Sequence, residues 1–512
     1  MTVTQLPRCR TRVILGAFSC LFLGFAPSAS AEVVSYGGPH ISPASQAFSV
    51  KVNGQPVFTH SFMNYDYAHF AFAGTAEVEV TFKDEITNGV AVTPSKYKIV
   101  PAIRGKTFTF TLQEPRKLFI RANVRENVSY WSRAHDHHFL VLFADPLETS
   151  PPLLGQANTV SVLDHGADKS GEKDSAAAIR AAIKACPKNG TVYVPSGKYR
   201  LDSTIDLDTP DMTFYLEGGA FLQKPHGPGA VVLRADGVTV TGRGTIEADS
   251  YAMRSAGRSD LPVRNFLLED VVLRDSHISA TEKEFHMMAR FTLDGFQIRN
   301  IKALGCPQNE TYGKQRDGFA LDDTTNGVVD NIFSWSGDDA FYVWSRHRPS
   351  ENILVKNCLF RAEGGAAAMK DMSLLLVRNL HFVDCVSLRG ALEVDSPEAT
   401  GRQENILFKN IDVEERANLD VAGVFGTKLL DSDVHAVFEN VHFLTIWPRQ
   451  TSGGADNMYT TSHFIVRATE KVNVQFKGLK VKGRLITSRD QLAPAGFSVI
   501  WEGSPNIGFS RE

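Results

Sequence analysis

Apolar and polar residues alternate in short runs over much of this chain, and in its second half the runs recur. Phe48-Ser49-Val50-Lys51-Val52 and the stretch AEVEVTF at Ala76–Phe82 put every second side chain on one face. Residues 107–112 and 117–124 continue the pattern. A period of two is that of a half-buried strand, and turn residues between such runs predict an antiparallel β-sandwich. Asp145-Pro146 and Ser150-Pro151-Pro152 then break the pattern as a linker.

One clear helix is predicted next. Asp174-Ser175 offers a cap, residues 176–186 (AAAIRAAIKAC) are rich in good helix formers, and Asn189-Gly190 ends the run. A lone apolar helix before a repetitive β-region suits a cap over the open end of a solenoid.

The repeat is read from Phe296-Gln-Ile-Arg-Asn-Ile301, Val328-Val-Asp-Asn-Ile332, Ile353-Leu-Val-Lys-Asn-Cys358, Leu380-His-Phe-Val-Asp-Cys385, Ile406-Leu-Phe-Lys-Asn-Ile411 and Ala436-Val-Phe-Glu-Asn-Val441. The polar residue before the last apolar one falls at 300, 331, 357, 384, 410 and 440, giving intervals of 31, 26, 27, 26 and 30. Units of this length, with several short strands and a turn asparagine, fit the coils of a parallel β-helix. The predicted organisation is a leader at 1–31, a β-sandwich at 32–150 and a β-helix with its capping helix at 151–512.

Charge and composition narrow the picture. Arg8, Arg10 and Arg12 precede an apolar run over residues 13–25, and Ala29-Ser30-Ala31 is a small-residue cleavage site. That is the pattern of an export signal, and the run is too short for a comfortable membrane span. Cleavage would move the formal charge from −3 to −6. Mild acidity argues against nucleic acid or an anionic membrane as the main partner. The expected location is secreted or periplasmic. Cys186, Cys306, Cys358 and Cys385 lack zinc-ligand spacing; an exported protein allows a disulfide among them, but Cys358 and Cys385 read as buried free thiols stacked on adjacent coils.

Two acidic motifs carry the chemistry: Asp317-Gly318-Phe319 and Gly337-Asp338-Asp339-Ala340. They are 21 residues apart, close to one repeat, so they are expected on adjacent coils roughly 5 Å apart. Crowded carboxylates cost electrostatic energy and point to acid/base chemistry or metal binding. Adjacent strand residues face opposite ways, so Asp338 and Asp339 share a site only at a bend or strand end.

These residues resemble a known group. Val162-Leu-Asp-His-Gly-Ala-Asp168, the Ala-rich helix and Gly190-Thr-Val-Tyr-Val-Pro-Ser-Gly197 look like the entry to pectin-degrading β-helix enzymes. The paired acidic motifs are similar to the active-site signature of the polygalacturonase and dextranase clan of glycoside hydrolases. The resemblance implies a right-handed parallel β-helix and hydrolysis with inversion. It makes Asp338 the general acid, with Asp317 and Asp339 holding the attacking water, and it requires no cofactor or metal. The expected carboxyl separation is roughly 6.5–9.5 Å, enough to admit that water.

Departures from the polygalacturonase pattern bear on substrate. Asn-Thr-Asp is replaced by Gln315-Arg316-Asp317, and the Gly-His-Gly segment by Gly364-Gly365-Ala366-Ala367. The Arg-Ile-Lys segment gives way to residues 390–396, with Glu393 and Asp395. Acids at that place repel uronates and accept hydrogen bonds from neutral hydroxyls, which favours a neutral α-glucan of dextran type. Lys370 and Arg389 keep a pectic chain in view. Trp344, Tyr342, Arg346, Lys370, Glu393 and Asp395 are the expected substrate contacts, with Trp335 as a further aromatic near the second motif. Two rivals on the same fold are a calcium-dependent lyase and a non-catalytic glycan-binding solenoid. His135-Asp136-His137-His138 reads as a loop without a metal, and Asn127 and Asn309 fit a glycosylation pattern.

Overall fold

The strand Tyr65–Phe72 is buried along its whole length, unlike its alternating neighbours. The reason is its position between two cores. Ala68, Phe70 and Phe72 face the interior of the sandwich, while Tyr65 and Tyr67 face the β-helix. The computed structural model describes residues 32–63, 65–123, 139–256, 261–275, 286–305, 316–363, 366–396, 401–423, 427–446 and 461–512. The leader, the His135–His138 run, Asn127, Asn309, Cys306, Gln315 and Gly364-Gly365 lie outside them.

The sandwich has two sheets. In the five-stranded sheet, Phe48–Val52 and Thr107–Leu112 flank Ala76–Phe82 in antiparallel register. The six-stranded sheet is antiparallel except where Phe139–Pro146 runs parallel to Tyr65–Phe72. The helix forms at Ala176–Ala185 and buries Ile179, Ala182 and Ile183 at the start of the solenoid core. Ser175 does not cap it with its side chain; Asp174 Oδ1 accepts the Ala176 N–H instead, at 3.0 Å.

From Thr159 onward the chain winds into parallel coils. One thirteen-stranded sheet forms one face, and a twenty-two-stranded sheet carries two further ladders. The repeat asparagines explain the corners. Asn300, Asn331, Asn357, Asp384, Asn410 and Asn440 all have left-handed backbone, with φ between 52° and 56°. Asn and Asp tolerate that conformation better than other side chains. A second left-handed column, Asn326, Asn352, Asn379 and Asn405, is tied coil to coil by amide hydrogen bonds of 2.8 to 3.0 Å. Inside the bore, Phe382, Phe408, Phe438, Phe476 and Phe509 stack with centroids 4.7 to 5.2 Å apart. Cys358 and Cys385 are buried free thiols.

One ladder of the large sheet is covered by the sandwich. Val272, Leu304, Phe333, Trp335, Leu359 and Val386 pack against Phe62, Tyr65, Phe119 and Phe143. Trp335 stacks on Tyr65 at 4.1 Å and is 1% exposed, so it belongs to this seam and not to a sugar-binding surface. Burying each such side chain is worth about 1.5–3 kcal/mol. Charges are buried here too. Asp145 accepts from His69, Arg243 and Lys302. Burial opposes its charge, but Lys302 and His69 outweigh burial and hold its carboxyl well below the usual range. The second ladder lies beside this seam, and the acidic motifs lie on it.

Candidate active site

Asp317 sits in the strand Arg316–Asp322, and Asp338 and Asp339 lie one coil later, between Phe333–Ser336 and Phe341–Ser345. The backbone bends at Gly337 and Asp338, which lets two consecutive carboxylates share one site. The bend is stitched to the preceding coil. Asp338 N donates to Arg316 O at 2.9 Å, and Gly318 N donates to Asp339 O at 2.8 Å. Ser336 Oγ donates to Asp338 O at 2.6 Å. Gly318 is needed for this approach, because a Cβ there would stand 2.3 Å from both Ala340 O and Ser334 Oγ.

One oxygen from each of the three acids lies within 4.8 Å of the others. This is tighter than the water-sized gap expected between two inverting carboxyls. Such a trio can also hold a divalent cation. Asp317 is 5% exposed, whereas Asp338 and Asp339 reach the surface in part. Burial, then the charges of Asp339 and Asp338, push the Asp317 carboxyl well above its ordinary range. Burial and Asp339 push Asp338 up to about 7, against the opposing pull of Lys370. Asp339 is supported differently: its Oδ1 accepts the Ala367 N–H at 2.8 Å, and Lys370 Nζ lies 3.5 Å from Oδ2.

Lys370, Glu393 and Asp395 are close to the acids but sunk beneath the surface. Lys370 is 1% exposed and pairs with Glu393 at 2.8 Å and Asp395 at 3.5 Å. Burial opposes the ammonium, but Asp339, Glu393 and Asp395 hold its pKa well above the usual value. Burial raises Glu393 to about 7 although Lys370 lowers it. These two acids therefore spend much of their charge on Lys370 rather than on the cleft. Arg389 lies at the seam with the sandwich side, paired to Glu363 at 3.1 Å.

Tyr342 is placed beside Asp317 and hydrogen-bonds it. Trp344, two residues on, is partly exposed, and the Arg346 guanidinium lies 3.6 Å over its ring. Asp323 holds the turn that presents Arg346: its Oδ1 accepts the N–H groups of Arg346, His347 and Arg348 at 2.7 to 3.2 Å. Tyr251 and Trp344 also pack on Met287, Ala320, Tyr342 and Met372, forming the apolar floor of the cleft. Sequence reasoning missed Tyr251, Asp323 and the Arg290–Asp322 pair. Their only signal is their rung on the ladder, which unequal coil lengths hide.

Comparison with known proteins supports the same setting. The family described as "Rhamnogalacturonase A/epimerase, pectate lyase-like" matches residues 159–389. Rhamnogalacturonase A of Aspergillus aculeatus is 24% identical over 308 residues, 54% of this chain and 63% of that protein. Its counterpart from Aspergillus niger is 23% identical over 339 residues, 60% of this chain and 69% of that protein. The chain thus spans less than two thirds of the length of the Aspergillus aculeatus relative. The solved structure of Dex49A from Penicillium minioluteum superposes with a TM-score of 0.52 at 12% identity, covering 93% of this chain and 96% of Dex49A. At that identity the likeness establishes the fold: a parallel β-helix preceded by a β-sandwich. The chain resembles the polygalacturonase and dextranase clan.

Proposed function

We propose that this protein is an exported glycoside hydrolase that cleaves an α-linked polysaccharide. The observation that carries this reading is the carboxylate trio, in which burial and mutual repulsion keep Asp338 protonated near neutral pH. Asp338 donates its proton to the leaving glycosidic oxygen. Asp339, held by Ala367 and Lys370, accepts a proton from the attacking water, with Asp317 and Tyr342 completing the pocket. Protonated carboxyl and carboxylate suffice for both transfers. Inversion follows from the resemblance. The trio is tighter than a simple inverting pair, so anomeric configuration of the first product, read by proton NMR, is the decisive test of stereochemistry.

The relatives named rhamnogalacturonase favour a pectic chain containing uronic acids. A neutral glucan of dextran type is the second reading, favoured by Glu393 and Asp395 standing where polygalacturonases carry their Arg-Ile-Lys segment. Reducing ends released from rhamnogalacturonan, polygalacturonan and dextran separate the two. A product absorbing in the ultraviolet with calcium dependence would instead reveal a lyase. Binding without cleavage of any of them would reveal a glycan-binding solenoid. Export rests on the leader at residues 1–31, and no helix among the described residues is long and apolar enough to cross a membrane.

A further inference from the structure

On the ladder that carries the acids, one column of side chains facing away from the bore begins with two arginines. Register places Arg254 beside Arg290, Arg290 beside Ala320, and Ala320 beside Tyr342. Beyond Tyr342 the same column continues through Lys370 and Glu393 to Asp420. The coil of Asp317 lies between these two ends. Arginines therefore stand on the N-terminal side of the acids, whereas on the C-terminal side the charges of Lys370 and Glu393 are buried and paired with each other. With about 4.8 Å per rung, Arg254 lies about 10 Å along the axis from the coil of Asp317.

The two arginines are not equivalent. Arg290 is already engaged by Asp322, so its charge is largely spent. Arg254 is half-buried, and among the described residues it makes no hydrogen bond or ion pair; its Nε is buried without a partner. Its neighbour Met253 points into the bore, so alternation turns Arg254 outward. A guanidinium with no counter-ion among the described residues, half withdrawn from water, is a strong site for a planar carboxylate. Tyr251, three residues away, packs on the apolar cluster of Met287, Ala320, Tyr342 and Met372.

We propose that Arg254 forms a subsite for the carboxylate of a uronic-acid residue, beyond the sugar at the bond being cut and on the N-terminal side of the cleft. The cleft is then polarised. It takes an acidic residue toward Arg254, which fixes the direction in which a chain of mixed charge lies. This rests on the reading of the cleft as a polysaccharide site.

The test compares one pectic polymer with the same polymer after its carboxyl groups are reduced to alcohols. For the wild-type protein, kcat/KM is expected to be higher on the charged form. In Arg254→Gln that preference should fall by about 10- to 100-fold, the range for one hydrogen bond to a charged group. Arg254→Lys, which keeps the charge but not the fork, should fall between. A preference ratio within about twofold of wild type in Arg254→Gln overturns the subsite. Calorimetric titration of charged and reduced oligomers into Asp338→Asn, with and without Arg254→Gln, separates this from the proposed reaction. If the wild type cuts neither polymer, hydrolysis falls. The subsite then stands if Asp338→Asn binds the charged oligomer more tightly in an Arg254-dependent way, and falls if it does not.

Discussion

Lys370 Nζ lies 2.8 Å from Glu393 Oε2, an ion pair sealed under the floor of the cleft directly behind Asp339. The pair supplies the positive charge that a crowded acidic site needs, from below rather than from the substrate side. Replacing Lys370 with Met leaves Asp339, Glu393 and Asp395 uncompensated in a buried place. The expected cost is about 3–5 kcal/mol of folding stability, measured by denaturant titration. In protein that remains folded, Asp338 loses the charge that lowers its pKa. The alkaline limb of its activity profile should therefore move to higher pH, and Lys370→Arg should restore it in part.

Asp338 must carry a proton to act as the acid, and its pKa is raised to about 7. Turnover is therefore expected to decline as pH rises through about 7. Asp338→Asn should lower kcat by about 10²–10⁴-fold. A kcat/KM profile across pH 4 to 9 checks the first point. Turnover by Asp338→Asn near that of wild type would remove Asp338 from its role.

Gly318→Ala tests the seam between the two acidic coils. The added Cβ would meet Ala340 O and Ser334 Oγ at 2.3 Å, both of which hold the bend that carries Asp338 and Asp339. A displacement near 1 Å costs about 10²-fold in rate. The expected result is a folded protein, by circular dichroism, with kcat reduced on that scale. Wild-type kcat would mean that the bend does not depend on the close approach at Gly318.

Asp371 stands in the bore between Val343 and Val394, fully buried, with neither carboxyl oxygen hydrogen-bonded. Burial, then Asp395, hold its pKa well above the ordinary value. Below the unfolded-state pKa the group is protonated in both states. As pH rises past that value the unfolded chain ionises while the native group keeps its proton, so stability is lost. Asp371→Val should raise stability by about 1–3 kcal/mol, and its advantage over wild type should grow from pH 4 to 7. Denaturant midpoints at several pH values measure this.

The repeat was legible because one turn conformation imposes one residue type: the left-handed corners at 300, 331, 357, 384, 410 and 440 are Asn or Asp throughout. The acids were legible because Asp317 and the Asp338-Asp339 pair lie one coil apart, and a bend at Gly337 resolves their alternation. The face each side chain takes was harder to read. Trp335 and Trp344 look alike in sequence, yet one is sealed under the sandwich and the other borders the cleft. Glu393 and Asp395 look like surface acids, and only the burial of Lys370 between coils reveals them as its partners. Asp371 carries no local signal, since strand parity alone sends it inward. Contacts set by stacking of coils of unequal length cannot be counted along the chain.

The corner asparagines make the coil the unit of inheritance in this architecture. Each coil enters and leaves through the same left-handed turn, and its Phe or Asn side chains stack on equivalents above and below. Duplicating or excising a whole coil away from Asp317 and Asp338 therefore presents matching edges to its new neighbours. The cleft changes by about 4.8 Å per event. Its reach along a polymer can be lengthened or shortened in steps without rebuilding the chemistry at its centre.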